Sequence, residues 1–241
     1  MLILVVGASG ATGRLLVEQL LSQGHSVKII VRSSQRFLEF VNTHKNLFVI
    51  EKSVSDINES DMKEYIKECD AVASCLGHTL SFKGIYGKPR MLVTQTVQRL
   101  CDIIKSSNQD KKVKFVLMNT TGNCNRDISE QISFAQKLVV GLIRFLIPPH
   151  LDNERAADYL RVNIGQNDDK IEWVAVRPDG LINEDEVSSY EVHASPTRSA
   201  IFDAGKTSRI NVGNFMAQLI SDEDIWNKWK GQMPVIYNTS E

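Results

Sequence analysis

The chain has 241 residues, 42% of them hydrophobic and 24% charged, with a formal net charge of −1. This is the balance of an ordinary globular domain, and it gives no electrostatic reason for nucleic acid or an anionic membrane as partner. The four cysteines, Cys69, Cys75, Cys101 and Cys124, form no C-x-x-C pair, which excludes a zinc ribbon or a disulfide framework as the organising feature and points to a reducing, cytoplasmic setting.

The first element is an apolar run at 2–6 (LILVV), read as a buried strand. Five apolar residues before a glycine turn are too few for a signal peptide. The turn, Gly7-Ala8-Ser9-Gly10-Ala11-Thr12-Gly13, leads directly into a helical pattern over 13–23. Glycines in a strand-to-helix turn have distinct physical jobs. One permits the sharp turn, one lets a pyrophosphate approach the backbone, and one lets the helix pack closely on the strand. The helix N-terminus then offers free N–H groups and a positive dipole end to the phosphates. The spacing is G-x-x-G-x-x-G rather than G-x-G-x-x-G; the strand and helix on either side make it a nucleotide-binding signal.

The second strand, 26–31, ends at Arg32, followed by Ser33, Ser34 and Arg36. NAD sites place an acid here for the ribose 2′-hydroxyl. A cation suits a 2′-phosphate instead, so the reading favours NADP(H) over NAD(H). Solvated loop charges are the structural alternative for both arginines.

Further strands are predicted at 47–50, 71–75, 113–118, 171–176 and 234–237, and further helices at 35–43, 59–67, 89–107, 130–146, 152–164 and 213–220. Runs such as Phe115-Val-Leu-Met118 do not alternate, which suits a parallel sheet covered on both faces. Strands and helices in alternation predict a single α/β domain over 1–241, a doubly wound parallel sheet. The least regular stretch, 183–209, is assigned to a small C-terminal substrate-side lobe.

The segment 132–149 is mostly apolar. Ser133, Gln136, Lys137 and Arg144 draw one narrow polar stripe along it. It is too short and too polar for a membrane span, and its polar face is not basic enough for a surface anchor. The pattern predicts a core helix or a subunit-contact helix, the latter implying a homodimer.

The chain resembles the atypical short-chain dehydrogenase/reductase proteins, specifically the NAD(P)H-binding, NmrA-like and biliverdin-reductase-B-like group. The resemblance is carried by VVGASGATGR (5–14), GHSVKIIVR (24–32), ASCLGH (73–78), FVLMNTTGN (115–123), DNERAADYLR (152–161), IEWVAVRPDGLI (171–182) and SRINVGNFMAQLI (208–220). It implies a Rossmann-type fold with the nucleotide across the carboxyl ends of the strands. It also implies a range of activities, from quinone or flavin reductases to epimerase-like enzymes and non-catalytic redox sensors. By position, Gly7, Ser9, Gly10, Ala11, Thr12 and Gly13 are expected to hold the pyrophosphate, and Arg32 the 2′-phosphate. Leu76, Gly77 and His78 are expected to line the ribose and nicotinamide end. Thr120 and Thr121 match the site of the active serine or threonine. Arg177 and Pro178 match the arginine-proline pair beside the nicotinamide. Where the family often has an acid against adenine, this chain has Ser53; Val54 or backbone is the expected substitute.

The usual proton donor of these enzymes is Tyr-x-x-x-Lys. The residues four beyond Tyr65, Tyr86, Tyr159, Tyr190 and Tyr237 are Cys69, Arg90, Asn163, Ala194 and Glu241, so the motif is absent. This argues against an alcohol dehydrogenase and against the tyrosine-dependent epimerases. Quinones and flavins need less help, because their reduced anions are delocalised and water can supply the proton. Thr121 or Thr120 is then the candidate to orient an acceptor, and His78 or His150 to donate a proton near neutral pH; ending a strand and lying on the surface are the respective structural alternatives. Asp152, Asn153 and Glu154 are read as a helix start, with Asp152 as the N-cap. Gly205-Lys206-Thr207 resembles the end of a phosphate loop but lacks the first glycine and the following helix. The function expected is an NADPH-dependent oxidoreductase of a small planar or carbonyl-containing acceptor. A non-catalytic redox sensor acting on a partner protein is the rival, and an epimerase or dehydratase the third reading.

Overall fold

The computed structural model describes residues 1–37, 43–78 and 81–239. Among the described residues there are ten strands: β1 (Leu2–Val6), β2 (Ser26–Val31), β3 (Leu47–Glu51), β4 (Ala71–Ser74), β5 (Val113–Met118), β6 (Ile171–Pro178), β7 (Gly180–Ile182), β8 (Tyr190–His193), β9 (Lys206–Ser208) and β10 (Val235–Asn238). The helices are α1 (Ala11–Ser22), α2 (Glu59–Ile66), α3 (Phe82–Tyr86), α4 (Leu92–Lys105), α5 (Phe134–Leu146), α6 (Pro148–Tyr159), α7 (Arg209–Ser221) and α8 (Glu223–Trp229).

The main sheet runs β3-β2-β1-β4-β5-β6-β10-β8 and is parallel except for its last strand. This is the doubly wound order, with its reversal between β1 and β4. Each face has its own core. On one, α1 and α7 cover Ile3, Val5, Ile29 and Val176. On the other, α2, α4 and α6 cover Leu4, Val72, Phe115 and Trp173. Adjacent residues of β1 thus enter different cores, which is why its sequence is apolar without alternation. The Rossmann-type α/β fold expected from the sequence is the fold observed.

Several boundaries differ from expectation for tertiary reasons. The predicted helix 35–43 is a 3-10 turn over Gln35–Phe37; residues 38–42 lie outside the described chain. The predicted helix 89–107 is α4, preceded by the separate short α3. The predicted helix 152–164 begins at Pro148, where proline is pre-set for a first turn, and loosens into a π turn over Leu160–Ile164. α7 starts at Arg209 with Ser208 as its cap, and α8 was not anticipated. The segment 183–209 is only partly irregular. It supplies β8 to the edge of the main sheet, and β9 to a small two-stranded sheet with β7.

The core-helix reading of 132–149 is wrong, because the apolar residues of α5 are not buried; of its polar stripe Gln136 turns inward and Arg144 partly so, while Ser133 and Lys137 are exposed. Gln136 is its one buried residue and accepts from the Ser199 hydroxyl at 2.9 Å. Arg144 donates through Nε to Glu154 at 2.6 Å. Phe134, Leu138, Leu142 and Phe145 face outward. Gln136 and Arg144 thereby find partners on other elements and tie α5 to the rest of the fold.

Candidate functional site

β1 delivers Gly7 to the carboxyl edge of the sheet in a left-handed conformation, φ +76°, which a side chain adopts only with strain. A Cβ there would also collide with the Cys75 carbonyl group at the end of β4. A Cβ at Gly13 would collide with the Gly7 carbonyl oxygen, so α1 reaches the strand only because residue 13 has none. Gly10 is the N-cap of α1 and provides no side-chain cap, and the first turn carries no acid. The N–H groups at the start of α1 are therefore left for an external acceptor. Thr12 is buried and Ala11 exposed. This cradle, closed to side chains and open to an anion, fits a dinucleotide pyrophosphate.

Arg32 follows β2 directly, is exposed, and forms no ion pair among the described residues. Glu51, at the end of the adjacent β3, accepts from the Ser34 backbone N–H at 3.2 Å. Sequence reasoning overlooked this acid, because its nearness to Arg32 depends on the pairing of Val31 with Glu51. Ser53 opens the following turn, with its carbonyl bonded to Asp56 N–H. The Val54 side chain packs on the core, and its carbonyl accepts from Arg99 at 3.3 Å. Arg36's side chain lies outside the described chain.

β4 continues into Cys75, Leu76, Gly77 and His78. Burial pushes the Cys75 thiol up to about 12, so it is no nucleophile. Leu76 packs against the core and Gly77 is exposed. His78 is held at both nitrogens, Nδ1 against the Gly84 carbonyl at 3.1 Å and Nε2 against Asp152 Oδ2 at 2.8 Å. Asp152 is fully buried and accepts the Val93 and Thr94 backbone N–H groups at 2.8 Å each. It therefore caps α4 from a distance, not the helix it belongs to, which corrects the sequence reading.

β5 ends in a braced turn. The Asn119 side chain donates to the Asn153 carbonyl of α6 at 2.9 Å and accepts the Thr120 N–H. Thr120 Oγ1 accepts from Gly122 N–H at 3.3 Å. Thr121 is buried, and its N–H bonds the Pro178 carbonyl at 3.1 Å, extending the β5–β6 ladder into the site. Arg177 is fully buried and wholly engaged. It donates to the Met233 carbonyl at 2.6 Å, the Asn123 carbonyl at 2.7 Å and Glu130 at 2.6 Å. Asp179 follows, accepting from Gly180 and Gly205 N–H groups and thereby fastening the β7–β9 unit to the sheet.

The fold thus gathers Gly7, Gly10, Gly13, Arg32, Leu76, Gly77, Thr120, Thr121 and Pro178 along one edge, at the ends of β1, β2, β4, β5 and β6. His78 and Arg177 belong to the frame of that edge. Asn119, Asn123 and Glu130 were missed. Asn119 stands beside the threonines in sequence, but only α6 reveals its task.

A family model described as NAD(P)H-binding matches residues 7–223. No curated protein matches the chain. Solved structures share the fold across its whole length. An oxidoreductase, ylbE, from Lactococcus lactis superposes with a TM-score of 0.69 at 14% identity, covering 100% of this chain and 92% of that one. A short-chain dehydrogenase/reductase from Veillonella parvula, in complex with NADP, has a TM-score of 0.69 at 16% identity, covering 99% and 95%. An anaerobilin reductase from Escherichia coli has a TM-score of 0.69 at 12% identity, covering 100% and 98%. At these identities the likeness is one of fold.

Proposed function

The chain belongs to the NAD(P)H-binding family, and from that premise we propose that it is an NADPH-dependent oxidoreductase of a small planar or carbonyl-containing acceptor, such as a quinone or a flavin, working in the reducing cytoplasm. The observation that carries the reading is the cradle at Gly7, Gly10 and Gly13 beside the uncapped start of α1. With Ser9, Ala11 and Thr12 it holds the pyrophosphate. Arg32 takes the 2′-phosphate, and Ser53 and Val54 flank the adenine. Leu76, Gly77, Thr120 and Pro178 border the nicotinamide, which when bound supplies a hydride. Thr121 and Thr120 orient the acceptor. Arg177 and His78 keep the walls of the site in place rather than touching reactants, since their polar atoms are engaged within the protein.

The absence of Tyr-x-x-x-Lys favours a second reading, a redox sensor that binds NADP(H) and signals to a partner protein without turnover. Calorimetric titration with NADPH, NADP+ and NADH separates the two. The enzyme reading expects similar, tight binding of NADPH and NADP+ and weak binding of NADH. A strong preference for one redox form supports the sensor, and no binding at all removes both.

A further inference from the structure

The turn after β5 has a neighbour that sequence reading offered, with His78, as a proton donor and that the proposed function leaves without a task. His150, in the first turn of α6, lays its ring against Gly122. A Cβ on Gly122 would sit 3.0 Å from His150 Cε1, 3.6 Å from Nδ1 and 3.7 Å from Thr120 Oγ1. The imidazole and the Thr120 hydroxyl therefore flank one glycine at the head of the site. His150 Nε2 is buried and has no hydrogen-bond partner among the described residues. A buried polar atom left unpaired is costly, and in a native structure it calls for an explanation.

We propose that His150 Nε2 is the acceptor-binding group of this site: it donates a hydrogen bond to the oxygen of a quinone or carbonyl acceptor. The inference rests on the oxidoreductase reading above. Hydride addition to the acceptor leaves negative charge on its oxygen. The Nε2–H bond stabilises that charge, and water supplies the proton that completes the hydroxyl.

Neutrality follows from the surroundings. Burial holds the imidazole below its ordinary value; Glu154 pulls the other way and Arg144 adds to the lowering. Glu154 is itself bonded by Arg144 and Arg126, which blunts its pull. A neutral donor held in place stabilises developing charge without having to reorganise. The position of the ring is set by its surroundings. Asn119 ties the β5 turn to α6 at Asn153, and Gly122 leaves the space in which the imidazole lies.

The test compares wild type, His150→Phe, His150→Gln and Gly122→Ala. Each is assayed for NADPH binding by calorimetry and for NADPH oxidation with 1,4-naphthoquinone, riboflavin and an aromatic aldehyde. The phenyl ring keeps the packing without the donor, while the glutamine amide keeps a donor. The expected result is a fall in kcat of about 10²-fold for His150→Phe, a smaller fall for His150→Gln and Gly122→Ala, and unchanged NADPH affinity in all. Imidazole 15N spectra of wild type at pH 7 are expected to show the neutral Nε2–H tautomer. Wild-type turnover in His150→Phe, parallel loss of NADPH binding, or a proton on Nδ1 alone each overturns the assignment. A wild type that binds NADPH but oxidises it with none of the acceptors overturns the oxidoreductase reading itself, and this inference with it.

Discussion

Arg32 is the residue on which cofactor choice turns. It stands exposed at the end of β2, with Glu51 on the neighbouring strand facing the Ser34 backbone. The 2′-phosphate would meet a cation whose charge is not already spent on an ion pair among the described residues. Arg32→Glu is expected to weaken NADPH binding by about 1–3 kcal/mol, the worth of a charge-assisted contact, with a much smaller effect on NADH. Calorimetric titration of the variant with both nucleotides checks this; equal losses would remove the phosphate role. Arg177 illustrates the opposite case. The arginine-proline pair was read from sequence as nicotinamide-facing. The structure surrounds the guanidinium with carbonyl groups and Glu130. Nothing in the local sequence distinguishes an arginine that meets a ligand from one that braces a loop, because Met233 and Glu130 are remote in the chain.

At the scale of elements, Asp152 couples two helices. Its carboxylate takes the Val93 and Thr94 N–H groups at the start of α4 and pairs with His78, while the Thr94 hydroxyl donates to the Asp152 carbonyl at 2.8 Å. One buried acid thus closes the N-terminus of α4, fixes α6 against it, and anchors the segment that leaves β4. Removing one member of such a group leaves the others buried and unpaired. Asp152→Ala is expected to lose about 3 kcal/mol of stability, seen in urea unfolding as a lower midpoint at constant slope. Asp152→Asn, which retains an acceptor oxygen, is expected to lose less. An unchanged midpoint for Asp152→Ala would show that the network contributes nothing net. Sequence reading placed an N-cap at Asp152 correctly in kind but on the wrong helix, since an aspartate before a helical run does not say whose N–H groups it meets.

For the whole molecule, the outward face of α5 is an exposed apolar surface. Phe134 is 76% and Phe145 84% exposed, with Leu138, Leu142, Leu146 and Ile147 alongside. No described helix is long and apolar enough to cross a membrane. We propose that this face meets a second copy of the chain. Phe134, Leu138, Gly141 and Phe145 recur at spacings of four, three and four, the seam of paired helices. Gly141 has nothing within 4 Å of its Cβ position, leaving room for a close crossing. The six apolar residues are 40–84% exposed, and a standard interface takes ~800 Å² per partner. A net charge of −1 offers little repulsion between copies. Sedimentation is expected to show a wild-type dimer and a monomeric Leu138→Glu. A wild-type monomer at tens of micromolar, or a dimer in the variant, would refute the interface.

What the sequence determined by itself was the part written in short range. The glycine spacing after β1 and the apolar periods of strands and helices are local properties, since φ, ψ and side-chain period are set by neighbours along the chain. They sufficed for a doubly wound α/β fold and for a nucleotide-binding signal after β1; the Rossmann-type reading with its ligand at the carboxyl edge came from the family resemblance. Only the tertiary structure decided which way α5 faces, that Asp152 caps α4, that Arg177 is enclosed, and that His150 rests on Gly122. Those outcomes depend on contacts between residues tens of positions apart, where each buried polar group takes the partner that packing brings to it, and the partner is not marked in the sequence beside it.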